Sequence, residues 1–269
     1  MTAVVAVVAH PDDESLIAGG TLVLAAQAGA QTGVVSLTRG EQGPIADPEL
    51  ATHSTLGDVR EAELHTAGEA LGASWTTCLR HPDGELSWAD HEGAADELAA
   101  LLDPHEPDIV LTFAPDGLYG HPDHIATREI VGIALDRLEA RVERRICLYE
   151  TVWPPGLVPD LVAAADQAGL ASDLWGLEPE DFGSPEAVAT LAVDVRSALD
   201  RKLAALRAHR TQLDTGHVLA ALPGGLAERF LHQELWRLAR PALCDGGALV
   251  LLLGGHASPA AEPHRGTGG

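Results

Sequence analysis

Two short segments of the 269-residue chain crowd imidazole and carboxylate side chains together. The first is His10-Pro11-Asp12-Asp13-Glu14, directly after the apolar residues 4–9. An imidazole and three consecutive carboxyl groups in one tight loop repel one another unless a cation compensates, and a metal ion supplies it. His10 and Asp13 can converge on one ion from such a loop, leaving Asp12 to face a water. Acidic side chains capping a following helix are the plainer alternative, although capping has no need of the histidine. The second segment, Asp116-Gly117-Leu118-Tyr119-Gly120-His121-Pro122-Asp123-His124, follows the apolar residues 109–113. Two histidines three apart, with Asp123 between them, suit metal ligation in which the carboxylate orients an imidazole rather than binding the ion itself. A polar loop before a helix begun by Pro122 competes with that reading. Taken together, the clusters supply two histidines and one carboxylate with a coordination position left open. That is the composition of a catalytic zinc site rather than a closed structural one, and Fe(II) suits the same donors.

Both clusters fall where strands should end. Residues 4–9 are a nearly continuous β-branched run, as expected of a central strand covered on both faces. A helix is expected over residues 15–28, a strand over 34–37, a helix over 59–71, a strand over 75–79, a helix over 92–102 and a strand over 109–113. A helix over 125–137 and a strand over 146–150 complete a doubly wound, Rossmann-like three-layer α/β pattern with a mostly parallel sheet. In such sheets ligands bind at the carboxyl ends of strands, where the two His/Asp clusters sit. Residues 152–185 are proline-rich, fit no sheet element, and read as a lid insertion in which Trp153 or Trp175 stacks on a ligand ring, lines a pocket, or simply anchors the loop. Further on, residues 190–195 read as regular structure, 198–209 as a helix, 226–238 as a final helix and 248–253 as an edge strand. One domain over residues 1–255 is expected, with residues 256–269 a disordered tail.

Composition narrows the function classes. With 40 acidic against 17 basic residues and a net charge of −23, the chain is a poor partner for nucleic acid or an anionic membrane. An apolar content of 46% excludes wholesale disorder. The first residues do not read as a signal peptide, no apolar run is long enough to cross a bilayer, and Cys78, Cys147 and Cys244 form no CxxC pair. A cytoplasmic protein with reduced thiols is the expectation. The oligomeric state is left open, a homo-oligomer included. No GxSxG segment occurs and none of the cysteines neighbours a base, so a covalent nucleophile is not indicated. His81-Pro82-Asp83-Gly84 imitates the metal segments but lacks a second histidine, and its Asp-Gly pair reads as a turn. His53, His65, His91 and His105 read as solvent-facing, and His209 as a packing or helix C-terminal residue.

The segments Ala9–Glu14 (AHPDDE) and Gly120–His124 (GHPDH) resemble those of the LmbE/PIG-L family of zinc-dependent N-deacetylases. Thr38-Arg39-Gly40-Glu41-Gln42-Gly43, Arg60-Glu61-Ala62-Glu63, Asp83-Gly84 and residues 202–212 are similar as well, so the resemblance spans about residues 3–212 but not 152–185. It implies one zinc held by His10, Asp13 and His124, with Asp12 the general base that deprotonates the attacking water. It further implies that His121 stabilises the tetrahedral intermediate or protonates the leaving amine, and that Tyr119 polarises the acyl oxygen. Arg60 and Glu41 are implied contacts to substrate hydroxyls, although an ordinary ion pair for Arg60 reads equally well. The implied activity is removal of an N-acyl group, in most relatives acetyl, from a small amino sugar or glycoconjugate, with a biosynthetic role such as antibiotic biosynthesis by analogy. An amidase of a thiol conjugate or of another acylated natural product shares the site, and a non-catalytic α/β binding module is the alternative of a different class. A phosphate-binding module, however, would place glycines where the acidic loop stands.

Overall fold

A computed structural model of the chain describes residues 1–142, 145–170, 172–174, 176–183, 188–213, 217–241 and 247–260. The all-apolar first strand, β1 (Ala3–Val8), is buried along its whole length. After it come α1 (Asp13–Ile17), α2 (Gly19–Gln27), β2 (Gln31–Thr38), α3 (Leu56–Leu71), β3 (Trp75–His81), α4 (His91–Leu102), β4 (Ile109–Thr112), the short turn α5 (Gly117–Gly120) and the long α6 (Pro122–Val142). The second half holds β5 (Cys147–Thr151), α7 (Leu157–Gln167), β6 (Leu191–Asp194), α8 (Leu199–Leu206), α9 (Val218–Ala221), α10 (Gly224–Leu231), β7 (Gln233–Arg240), α11 (Ala248–Leu253) and β8 (Ala257–Pro259).

The strands form one eight-stranded sheet in the order β3-β2-β1-β4-β5-β7-β6-β8. From β3 to β5 neighbouring strands are parallel, with β1 paired to β2 on one side and β4 on the other. The last three strands are antiparallel additions. Flanking helices make this a mostly parallel, three-layer α/β fold. Strand order departs in opposite directions from β1, so a crevice opens at the carboxyl ends of β1 and β4. Both His/Asp segments border it.

Four expectations are corrected. The single helix over residues 15–28 is two helices, broken at Ala18 (φ −129°), and in the second Gly20 packs so closely on Val195 that an added Cβ would lie 2.4 Å from it. The expected final helix over 226–238 ends at Leu231, and residues 233–240 insert between β5 and β6 as β7. Its Trp236 is fully buried, so tertiary pairing overrides the local helical pattern. Residues 248–253 are the helix α11, which buries Leu249 and Leu253 four residues apart on one side. The edge position expected for them is taken by β8, which pairs with β6 inside the segment expected to be disordered. Residues 261–269 lie outside the described residues, as do Trp175 and Cys244. Between 152 and 185 the described residues contain α7 and no strand.

One buried ion pair ties the antiparallel strands to the parallel core. Glu234 of β7 accepts the backbone N–H groups of Gly20 and Thr21, both at 2.8 Å, supplying the cap that the start of α2 lacks. Lys202 of α8 reaches the same carboxylate at 2.6 Å, and both side chains are almost wholly buried. Glu234→Ala leaves a buried lysine unpaired and two helix N–H groups unmet. It is expected to destabilise the fold by about 3–5 kcal/mol, measured by urea unfolding; a loss under 1 kcal/mol refutes this role.

Candidate metal centre and active site

The end of β1 is fastened before it enters the site. The carbonyl of Ala9 accepts from the Thr38 N–H at 3.0 Å, the Thr38 hydroxyl at 2.9 Å and the Ser36 hydroxyl at 3.1 Å. His10 therefore leaves β1 in a fixed direction, and its own N–H donates to Asp13 Oδ2 at 2.9 Å. The loop turns at Asp12, whose φ of 130° is one that L-residues rarely adopt. At the end of β4, Gly117 (φ +62°) begins a second turn, where a Cβ would lie 2.7 Å from Ile125. Its carbonyl faces His124 Nδ1 at 3.1 Å, while Phe113 stacks on the His124 ring at 4.0 Å.

These turns bring His10, Asp13 and His124 together, with one donor atom from each lying within 4.8 Å of the others. Asp13 Oδ2 lies 3.3 Å from His10 Nδ1, and Asp13 Oδ1 lies 3.3 Å from His124 Nε2. Because Nδ1–H of His124 donates to Gly117, its Nε2 carries the lone pair, and that buried atom has no hydrogen-bond partner. Burial holds this ring neutral, its pKa pushed down to about 3. Burial works against the charge of Asp13, but His124 and His10 hold it below the usual carboxylate range. An ionised carboxylate beside a bare imidazole nitrogen is the donor set of a divalent cation.

His10 shows how much negative charge collects here. Its Nε2 lies 3.1 Å from Asp83 Oδ1 and 3.4 Å from Asp123 Oδ2. Burial alone would lower its pKa, yet Asp123, Asp13 and Asp83 drive it well above the ordinary value. A positive charge is wanted at this point. Asp123 is itself fixed by the N–H groups of Gly84 at 2.8 Å and Leu86 at 3.1 Å, so it steers the His10 ring as an outer partner would.

Four of the remaining expected residues border a cavity of about 380 Å³. Asp12, His121, Tyr119 and Arg60 line it with the metal-site residues His10 and Asp13. Arg60 Nη2 donates to Asp12 Oδ2 at 3.1 Å and to the Pro11 carbonyl at 2.7 Å, while Nη1 donates to the Gly40 carbonyl at 2.8 Å. Glycine is required at 40, since a Cβ there would sit 2.3 Å from the guanidinium carbon. Burial pushes the Asp12 carboxyl up to about 6, with Arg60 pulling the other way. His121 Nδ1 accepts the Asp123 N–H at 3.2 Å, which makes Nε2 the protonated nitrogen of a neutral ring. Burial lowers the His121 pKa and raises that of Tyr119, so the phenol stays a donor. Glu41 does not line the cavity; its Oε1 accepts the Asp83 N–H at 3.1 Å.

Two site residues were missed in the sequence. Asp83, set aside as a metal contact with its turn-like neighbours although Asp83-Gly84 is part of the resemblance, lies two residues past the end of β3 and lines the cavity, whereas His81 pairs with Glu97 away from it. Its signal was its position at a third strand end. His209, which falls in the family-like stretch 202–212 but reads as a packing or helix C-terminal residue, lies three residues past α8 and is wholly buried against Glu14 at 2.7 Å. His53, His65, His91 and His105 do not line the cavity, and the described cysteines Cys78 and Cys147 are buried.

An open α/β sheet with a His/Asp group able to hold a cation at its switch point, beside a carboxylate, a neutral histidine and a tyrosine, fits a metal-assisted hydrolase. The chain matches the PIG-L model, described as GlcNAc-PI de-N-acetylase, over residues 5–135. The 1D-myo-inositol 2-acetamido-2-deoxy-alpha-D-glucopyranoside deacetylase of Acidothermus cellulolyticus is 33% identical over 265 residues, 89% of each chain. The enzyme of that name from Actinosynnema mirum is 37% identical over 261 residues, 86% of this chain and 89% of its own. Among solved structures, the N,N'-diacetylchitobiose deacetylase from Pyrococcus horikoshii shares the fold with a TM-score of 0.59 at 22% identity, over 88% of this chain and 83% of its own. The chain belongs to the PIG-L family and is a deacetylase.

His124→Ala is expected to weaken binding of a divalent cation such as zinc beyond the ~10–100-fold cost of losing an outer partner, with Asp123→Asn falling within that range. His121→Ala should leave affinity unchanged. Competition against a chromophoric chelator measures all three; equal affinity in His124→Ala and wild type removes His124 from the ligand set.

Proposed function

We propose that the chain removes the N-acetyl group from a GlcNAc-type amino sugar, using one zinc ion held by His10, Asp13 and His124. The observation that carries this reading is the bare, buried Nε2 of His124 facing an ionised Asp13, with Asp12 placed beside them on the cavity wall. When bound, zinc supplies a Lewis acid for the acyl oxygen and lowers the pKa of water from about 16 to about 7.

The chain's own residues supply the rest. Asp12, held by Arg60, takes a proton from the attacking water and delivers it to the departing nitrogen. The C–O bond forms first, putting charge on the acyl oxygen of a tetrahedral carbon; the C=O bond then re-forms as the protonated nitrogen leaves, and acetate and a free amine are the products. Nε2–H of His121 and the Tyr119 hydroxyl donate to the acyl oxygen as its charge develops. Gln42, Asp83 and Gln212 among the lining residues are partners for sugar hydroxyls, while Leu16, Leu206 and Leu219 add apolar lining. The relatives' names put a GlcNAc–inositol conjugate first among substrates to test. Trp153 lines a smaller apolar cavity, sharing Leu16 and Leu219 with the main one, and stacks on Phe182 at 6.0 Å. That supports an anchoring role in the proposed 152–185 lid rather than direct sugar contact.

Metal content by mass spectrometry, with amine release from N-acetylated amino sugars and GlcNAc–inositol, tests the reading. About one zinc per chain with release supports it; no metal after zinc is added back, or no release from any substrate, overturns it. Asp12→Ala should keep its zinc and lose about 10²–10⁴-fold in kcat, and full activity in that variant overturns the mechanism. Arg60→Met removes the cation that lowers the Asp12 pKa, so the acid limb of the kcat/KM profile, where Asp12 must lose its proton, should move to higher pH. An unmoved limb assigns it to another group.

A further inference from the structure

Behind Asp12 lies a charged pair that metal binding does not use. Glu14 and His209 have wholly buried side chains, and His209 Nε2 donates to Glu14 Oε1 at 2.7 Å. The Ser15 hydroxyl donates to the same oxygen at 2.5 Å. With Oε1 taken, Oε2 is the oxygen left, and it accepts the backbone N–H of Asp12 at 2.9 Å. His209 is anchored in turn, because Glu63 of α3 accepts the Thr211 N–H at 2.9 Å and the Thr211 hydroxyl at 2.6 Å. A helix-start acid reaching back to a backbone N–H is common, but capping has no need of a buried imidazole 195 residues away. Burying a carboxylate and an imidazole is costly, and what the pair holds is the one residue of this loop at an unfavourable φ, 130° at Asp12.

We infer that Glu14 and His209 are positioning residues for Asp12: the pair holds the peptide N–H of Asp12 so that its carboxylate stays on the cavity wall beside Arg60. Without the Glu14 acceptor, Asp12 relaxes towards an ordinary φ and its carboxylate swings off line. The metal donors do not depend on this hydrogen bond, since Asp13 is tied to the His10 N–H and His124 to Gly117. The inference rests on the deacetylase reading above, in which Asp12 is the base.

The test measures kcat, KM and zinc content on the full chain, with the best substrate from the panel. A displacement of about 1 Å can cost roughly 10²-fold, so Glu14→Ala is expected to lose kcat on that order with KM and zinc content unchanged. Glu14→Gln keeps an oxygen for the Asp12 N–H and should recover at least tenfold over Glu14→Ala. In an Asp12→Asn background, Glu14→Ala should cost less than twofold, because the residue it acts through is gone. His209→Ala leaves Glu14 in place and should show the same dependence on Asp12, so it carries the test if Glu14→Ala does not fold. Losses of equal size with Asp12 and with Asn at that position mean a general structural role and overturn the inference. So does wild-type kcat in Glu14→Ala or His209→Ala. A wild type that releases no amine fails the parent reading instead, which separates the two.

Discussion

The site is organised by the cost of crowding carboxylates in a dry crevice. Asp12, Asp13, Glu14, Asp83 and Asp123 all lie at or beneath the ends of β1, β3 and β4, and burial opposes the charged form of each. Such a group persists only if every carboxylate meets a positive charge or donor hydrogens. Arg60 serves Asp12, His209 serves Glu14, and backbone N–H groups serve Asp83 and Asp123. Among the described residues two groups could hold a cation: His10 with Asp13 and His124, and His10 with Asp83 and Asp123. The buried Nε2 of His124, which has no hydrogen-bond partner, sets the first of these apart.

The fold meets this demand with main chain more than with side chains. Three donors on the Ala9 carbonyl fix where His10 emerges, and the loop after β2 folds back so that Gly40 can accept from Arg60. The loop after β3 gives its N–H groups to Asp123, joining two strand ends that are not neighbours in the sheet. The catalytic surface is thus stitched across β3, β2, β1 and β4. The antiparallel strands contribute from a distance, through Glu234 and Lys202 holding the start of α2.

The parallel half of the fold was legible in the sequence because its signal is local: β-branched runs covered on both faces and helices of ordinary length between them. His10, Asp12, Asp13, His121 and His124 were legible for a related reason, since each cluster sits in one loop at a predicted strand end. Legibility failed where a residue's state depends on distant neighbours. Residues 233–240 look helical until β5 and β6 offer them hydrogen bonds, and residues 248–253 look extended until β8 takes the edge. His209 reads as a packing residue because its partner, Glu14, is nearly two hundred positions away. Asp83 was hidden by the residue after it, since an Asp-Gly pair signals a turn whether or not the carboxylate is used.

Asp12 separates the structural from the chemical reading of the acidic loop. A position at φ 130° is one that glycine occupies freely, and a non-glycine residue there costs on the order of 1–3 kcal/mol. If the loop existed only to start a helix, glycine would serve at lower cost, and the Asp12 side chain makes no capping hydrogen bond to α1. The carboxylate instead points to Arg60 and the cavity. The same backbone conformation that disfavours aspartate sets its carboxylate against Arg60 on the cavity wall, so residue type and conformation fit the proposed role of Asp12 as the base.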